Sequence, residues 1–320
     1  MTRRTTGERI AVVAAALALT AVSAAACSSS SSDAERAGDT TTSVVDAEAP
    51  GLAGNFSSLS YNVAGLPQGI NADQHPEQNQ PIMSPLLNDY DVVVLQEDFG
   101  SYTDLLRADA EHEYQSERHP GATALNPINR ESALVGDGLN VLSTLPIGPL
   151  VRVPWQTCAP AAADCLALKG FATTVLALDP AAGDDGPTLD LYDLHMEAGS
   201  EEADNGARGD DLDDLATYLD EHSADDAVII GGDWNLSYHE EPDGTQLRDF
   251  LAATGLADVC DVVDCGADDD VIDRFFFRRG GAVDLTPVSH TFEREVFVDA
   301  AGASLSDHDA LHVDWEWTAS

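Results

Sequence analysis

Apolar residues in this chain come in short runs that alternate with polar ones or stop abruptly at them. Residues 56–63 alternate and close at Gly65 and Pro67, which predicts a first strand ended by a turn, with Asn62 near its end. Asp91-Val92-Val93-Val94-Leu95 predicts a buried strand that runs out into Gln96, Glu97 and Asp98. Ala227-Val228-Ile229-Ile230 repeats that design: Gly231 and Gly232 release the backbone, and Asp233, Trp234 and Asn235 follow. Alternation puts Asp233 and Asn235 on one side. Strands are also predicted around 136–143 and over 151–153, 171–178, 189–195, 272–277, 283–291, 293–298 and 311–317. The strand at 189–195 ends in His195, and Ser306-Asp307-His308 opens the last one.

Helical spacing is rarer. Leu212, Leu215, Ala216 and Leu219 mark an amphipathic helix over 209–222 with an acidic outer face. Shorter helices are predicted at 83–88, 105–112 and 247–256, and 68–80 reads as a polar loop. Many strands, few helices and no βαβ rhythm predict an α/β fold of packed mixed β-sheets with helices on the outside.

The amino terminus changes the picture. Arg3, Arg4 and Arg9 precede an apolar run over 10–26 that ends in small residues before Cys27. This predicts an export signal over 1–27, too short to span a membrane comfortably. A cysteine after small residues resembles a bacterial lipoprotein cleavage site, with the thiol carrying the lipid anchor at the outer face of the cell membrane. Ala24 departs from the usual leucine there, which leaves cleavage after Ala26, and release of the chain, open. Residues 28–51 are rich in Ser, Thr, Asp and Ala without apolar period and read as a disordered tether. The folded domain is expected over 52–320, as a monomer.

Four cysteines remain beyond Cys27. Their spacing in an exported chain suggests Cys158–Cys165 and Cys260–Cys265 disulfides; a zinc site lacks the close CxxC spacing. The formal net charge is -42, and Lys169 is the only lysine. Such a field repels polyanions, so nucleic acid is not the expected partner, although an acidic proteome would produce the same charge without any functional meaning.

The chemistry collects at strand ends: Asn62, Glu97, His195, Asp233, Asn235, Asp273, Asp307 and His308. Each has a plainer reading. Asn62, Asp233, Asn235 and Asp307 are turn-forming residue types, Glu97 suits a solvated strand end, and His195 a structural role. Together they are the parts for metal-assisted attack of water on a phosphate ester. A hard cation such as Mg²⁺ takes carboxylate oxygens, and a histidine near neutral pKa takes the proton from water.

Five stretches, in this order, resemble the endonuclease/exonuclease/phosphatase superfamily. They are Ser60-Tyr61-Asn62-Val63-Ala64-Gly65-Leu66-Pro67, Val94-Leu95-Gln96-Glu97, Leu194-His195-Met196-Glu197-Ala198-Gly199, Gly232-Asp233-Trp234-Asn235 and Ser306-Asp307-His308. The Tyr-Asn-Val-x-Gly-Leu-Pro wording and Leu168-Lys169-Gly170-Phe171 are similar to bacterial neutral sphingomyelinases. The resemblance implies a four-layer α/β sandwich of two sheets with the site at one edge. It implies Glu97 as main metal ligand, Asn62 beside it, and Asp307 holding a metal or its waters. His308 is the implied general base and Asp273 its orienting carboxylate. Asp233 would position the water or a metal. Asn235 and His195 would donate to phosphoryl oxygens, or His195 would protonate the leaving group. The cation implied is Mg²⁺, with Mn²⁺ or Ca²⁺ as alternatives.

The expectation is an exported, metal-dependent phosphodiesterase acting on a phospholipid head group such as sphingomyelin. Alternatives are a nuclease or small-molecule phosphoesterase, for which Lys169, Arg208, Arg274, Arg278 and Arg279 are the only groove cations in view, and a non-catalytic binding protein. The region of Trp155 is a candidate for membrane contact. Phe275-Phe276-Phe277 reads as sheet core rather than a lipid wedge, and Asp268-Asp269-Asp270 as a solvated loop rather than a calcium site.

Overall fold

Two pairs of parallel strands lie at the heart of the molecule, one in each of two packed sheets. This computed structural model describes residues 52–67, 74–100, 102–119, 133, 135–159, 164–266 and 271–320. The first sheet runs β11 (Val283–Pro287), β13 (Leu311–Ala319), β1 (Leu52–Asn62), β2 (Val92–Gln96), β4 (Asn140–Ser143) and β3 (Tyr114–Gln115), with β12 (Thr291–Phe292) also on β13. The second runs β5 (Val151–Pro154), β6 (Gly170–Ala177), β7 (Thr188–His195), β8 (Val228–Asp233), β10 (Asp273–Arg278) and β9 (Ala257–Asp258). β1 and β2 are parallel, as are β7 and β8, and the other neighbours are antiparallel. Both sheets are therefore mixed.

Alternation sorts each strand between two environments. Phe56, Val92, Val94, Leu189, Leu191, Ile229, Phe275 and Phe277 meet between the sheets, with Trp315 and Trp317 from β13. The other faces of the first sheet, Leu59, Tyr61, Val93 and Leu95, pack on Met83 and Leu87 at the end of α1 (Pro76–Leu86). Tyr192, Leu194, Val228, Ile230 and Phe276 of the second sheet pack on α3 (Glu202–His222) and α4 (Asp243–Thr254) through Leu212, Leu215, Leu247 and Phe250. Helix, sheet, sheet and helix make the expected four layers. The sheets approach closely where Gly231 lies: a Cβ there would come within 2.4 Å of the Phe275 ring and 2.9 Å of Val94 Cγ2.

The rows between the sheets change character along their length. On β1 the interior positions read Phe56, Ser58, Ser60, Asn62; on β2, Val92, Val94, Gln96. On β7 they read Leu189, Leu191, Asp193, His195, and on β8 Ile229, Gly231, Asp233. β10 runs antiparallel to β8 and begins at Asp273, opposite Asp233, before Phe275 and Phe277. Every row is apolar at one end of the sandwich and polar at the other. Parallel pairing puts Asn62 opposite Gln96 and His195 opposite Asp233, so the polar ends coincide.

Several local expectations are corrected. The helix expected at 83–88 is α1, which begins at Pro76 inside the stretch read as a loop. Pro76 suits a first turn, and the helix runs on through Pro81 and Pro85, positions where proline is disfavoured. The helix at 105–112 shrinks to α2 (Thr103–Leu106), after which buried His112 bonds through Nε2 to the Tyr90 carbonyl at 2.8 Å. Residues 293–298 form turns, with an isolated bridge from Val298 to Ser304, instead of a strand. α3 starts at Glu202, with a capping box between Glu201 and Asp204, rather than at 209. Both disulfides form as expected, Cys158–Cys165 and Cys260–Cys265. Export signal 1–27 with Cys27, tether 28–51 and Asp268-Asp269-Asp270 lie outside the described residues. Among the described residues no helix is long and apolar enough to cross a membrane.

Candidate active site

The polar ends of these rows converge on Asp233. Its Oδ2 lies 3.1 Å from Asn62 Nδ2, 3.3 Å from His195 Nε2 and 3.7 Å from His308 Nε2. Oδ1 accepts the Asn235 amide at 3.1 Å. His308 Nδ1 meets Asp273 Oδ2 at 2.8 Å. Asp233, Asp273 and His308 thus form one cluster whose ligand-type atoms all lie within 4.8 Å of one another. Asn62 Nδ2 also reaches Glu97 Oε1 at 3.5 Å, while its Oδ1 accepts the Ala64 amide at 3.1 Å. Asn235 Nδ2 donates to the Met196 carbonyl at 3.2 Å. Asp307 is exposed at the mouth, 3.4 Å from Ser306 Oγ, and the structure brings it no closer partner among the bonds described.

The backbone is strained where these side chains are presented. Ala64, Glu97 and Asn235 are the non-glycine residues with left-handed φ among those described, at +47°, +56° and +51°. Each lies within a sequence motif, and such conformations persist only where the surroundings hold them. Gly65 shows how: a Cβ there would lie 2.1 Å from the Glu97 carbonyl oxygen, so only glycine lets the first motif close over the second. Ser306 locks the last motif on. Its hydroxyl donates to the Asn62 carbonyl at 2.7 Å and accepts the His308 amide at 3.2 Å.

Burial and charge set different protonation states in this small volume. Burial raises the Glu97 carboxyl to about 7, with Lys169 opposing and Asp233 and Asp307 adding to the rise. Burial drives His195 well below its ordinary value, and Lys169 and His308 push it further. Burial alone would lower His308 as well, but Asp273, Asp233 and Asp307 carry it up to about 10. Asp273 is itself raised to about 6 by burial, against the pull of His308. These charges arrive from separate strands and loops, so the electrostatics exists only in the folded chain.

Some participants carried no assigned role in the sequence. Lys169 is buried and donates Nζ to the Met196 carbonyl at 3.0 Å, beside His195. Its signal was available: it is the only lysine in an acidic chain. Below the site, Gln96 Nε2 bonds Asp193 Oδ1 at 2.7 Å and Ser60 Oγ at 3.3 Å, a polar link between the sheets. Burial raises Asp193 well above the carboxylate range. Period-2 counting back from Asn62 and His195 finds Ser60 and Asp193. Trp155 corrects an expectation. It is buried and donates Nε1 to the His195 carbonyl at 2.8 Å, so it belongs to the site's scaffold and not to a membrane-facing surface. Phe275, Phe276 and Phe277 are buried sheet core, as expected. The supposed groove arginines have structural partners: Arg208 bonds Asp243 at 3.0 Å, and Arg274 bonds Asp258 at 2.9 Å and stacks on Tyr238.

Comparison with known proteins bears on the fold and the family. No protein-family model matches the sequence. The chain is 31% identical over 282 residues to a sphingomyelinase of Mycobacterium tuberculosis, covering 84% of this chain and 54% of that protein. It therefore spans about half the length of the curated relatives it matches. The fold is shared with a mutant of the beta toxin of Staphylococcus aureus with bound magnesium ions (TM-score 0.57, 16% identity, 81% of this chain and 99% of that one). It is shared equally with TDP2 of D. rerio complexed with a single-strand DNA product (TM-score 0.58, 18% identity, 82% and 98%). The chain thus shares its fold with both of these structures, and in sequence it resembles the sphingomyelinase.

Proposed function

We propose that this chain is a divalent-cation-dependent phosphodiesterase that hydrolyses a phospholipid head group, with sphingomyelin giving ceramide and phosphocholine. The observation that carries this reading is the setting of His308. Asp273 occupies its Nδ1 at 2.8 Å, which leaves Nε2 as the working nitrogen, aimed at the Asp233 carboxylate 3.7 Å away. Water held between them would lose its proton to Nε2 as its oxygen attacks phosphorus and the bond from phosphorus to the leaving oxygen breaks; that oxygen takes its proton from solvent, while Asp273 steadies the imidazolium. His195, kept neutral by burial and Lys169, serves as a hydrogen-bond donor to the phosphoryl group rather than as an acid. Asn235 is the second donor on that side.

The residues fit a hard divalent cation. Glu97 is a carboxylate raised by burial and by Asp233 and Asp307, and its contact from Asn62 is long at 3.5 Å. Glu97 and Asp307 would hold Mg²⁺, with Asn62 alongside; Mn²⁺ or Ca²⁺ suits the same oxygen donors. Such a cation, when bound, polarises the phosphoryl oxygens and offsets their developing charge.

The relative's name points to sphingomyelin, and the net charge of -42 disfavours a polynucleotide. In this reading the amino-terminal signal exports the domain and Cys27 anchors it beside a membrane. The test is turnover by the domain from Leu52, with Mg²⁺ or with EDTA, on sphingomyelin vesicles, plasmid DNA and a small phosphodiester. Cation-dependent release of phosphocholine supports the proposal. Cleavage of DNA alone, or turnover that survives EDTA, would overturn it.

A further inference from the structure

β7 ends at His195, and the chain beyond it has left the sheet ladder except for the Met196 amide on the Asp233 carbonyl at 3.0 Å. Three successive residues there are nevertheless held, each by a different group from residues 155–159 and 164–169. Trp155 Nε1 donates to the His195 carbonyl at 2.8 Å. Lys169 Nζ donates to the Met196 carbonyl at 3.0 Å. The Ala159 amide donates to Glu197 Oε1 at 2.8 Å, with Glu197 buried. These two stretches are joined twice, by the Trp155 amide on the Lys169 carbonyl at 3.2 Å and by the Cys158–Cys165 disulfide.

We infer that residues 155–159 and 164–169, joined by the Cys158–Cys165 disulfide, are a positioning device for His195 and Asn235, with Trp155 and Glu197 as its positioning residues. The link to Asn235 runs through the Met196 carbonyl, which accepts both Lys169 Nζ and Asn235 Nδ2. Both phosphoryl donors of the proposed mechanism are therefore set by one covalently stapled clamp, and the inference rests on that reading for its catalytic consequence. The disulfide joins cysteines only 7 residues apart. So short a loop restricts the unfolded chain less than a long one, and its main effect is local rigidity in the native state. The second disulfide is a control built into the molecule: Cys260–Cys265 closes the turn after β9, beside His290.

The test compares the wild-type domain with Cys158→Ser/Cys165→Ser, Cys260→Ser/Cys265→Ser and Trp155→Phe, which keeps a ring but loses the N–H. Each is measured for kcat and KM with Mg²⁺ on sphingomyelin vesicles and on a small phosphodiester, and for amide hydrogen exchange over 194–199. The first pair and Trp155→Phe should lower kcat by about 10–100-fold with KM unchanged, the scale of a misplaced catalytic group. Both should speed exchange over 194–199. The Cys260/Cys265 variant should match wild type in both. Wild-type kcat and unchanged exchange in folded Cys158→Ser/Cys165→Ser and Trp155→Phe would overturn the inference. If wild type turns over neither substrate, the phosphodiesterase reading fails, and the exchange data still decide whether the clamp exists.

Discussion

His195 and His308 face the same oxygen, Asp233 Oδ2, at 3.3 and 3.7 Å, yet they are opposite devices. His195 ends a central strand, is buried, and is held from behind through its own carbonyl by Trp155. Burial and the Lys169 charge keep it neutral. His308 sits in the loop before β13, half-buried, with Asp273 on one nitrogen, Asp233 3.7 Å from the other, and the charge of Asp307 adding to theirs. Burial works against its charge, and those carboxylates override it. Backbone placement decides the difference. A strand end inside the sandwich gives a fixed neutral donor, and a loop laid across carboxylates gives a group built to accept a proton.

Removing each histidine should separate these roles. His308→Ala is expected to cut kcat by about 10²–10⁴-fold, because it deletes the proton acceptor. His195→Ala should cost about 10²–10³-fold, the scale of a lost phosphoryl-oxygen donor. The sharper readout is pH. His195 is already neutral in the working range, so His195→Ala should lower activity by the same factor across the profile, whereas His308→Ala should remove the rise that wild type shows as pH climbs toward 10, where His308 gives up its proton. A His195→Ala profile that changes shape would make His195 a titrating acid and undo the contrast.

That contrast was only half legible in the sequence. The strand endings placed Asn62, Glu97, His195 and Asp233 because parallel pairing turns sequence endings into spatial neighbours, and Asp273 joins them because antiparallel β10 begins opposite Asp233. The interior rows from apolar to polar could be counted with period 2. What could not be read were side chains arriving from unrelated segments. Trp155 reads as a candidate membrane contact, and nothing local signals that its ring is buried with Nε1 on the His195 carbonyl. The start of α1 lies in a polar stretch that composition reads as loop, and only packing of Met83 and Leu87 on the first sheet makes it part of a helix. Protonation states were equally hidden, because each depends on burial together with charges from other strands.

Lys169 is the point where the two histidines can be tuned against each other. Its charge depresses His195 and also lowers Glu97. Lys169→Met should therefore raise both, leave His308 governed by Asp273, and loosen the Met196 carbonyl that Asn235 shares. Nuclear magnetic resonance titration of the histidine rings would show it. His195 should move toward its ordinary value while His308 stays high. If His195 does not move, burial alone accounts for its neutrality and the lysine is only a structural donor.

The smallest effect is one of stability, and it extends the comparison from the histidines to the carboxylate beside them. Glu97 is treated by the fold as His195 is: burial favours its neutral form and raises it from 4.5 to about 7. The folded state thus holds a proton that the unfolded chain releases at lower pH. By linkage this contribution to stability is full below about pH 4.5 and is lost as pH rises through 7. Glu97→Gln never ionises, so without divalent cation it should melt at a higher temperature than wild type at about pH 8 and show no such advantage at about pH 4. Added Mg²⁺ should reverse the order at the higher pH, because only wild type retains the charged ligand that the cation stabilises. Thermal unfolding at two pH values, with and without Mg²⁺, reads all of this. Equal stabilisation of both proteins by Mg²⁺ would remove Glu97 from the ligand set and leave the raised carboxyl as a cost of burial with no compensating role.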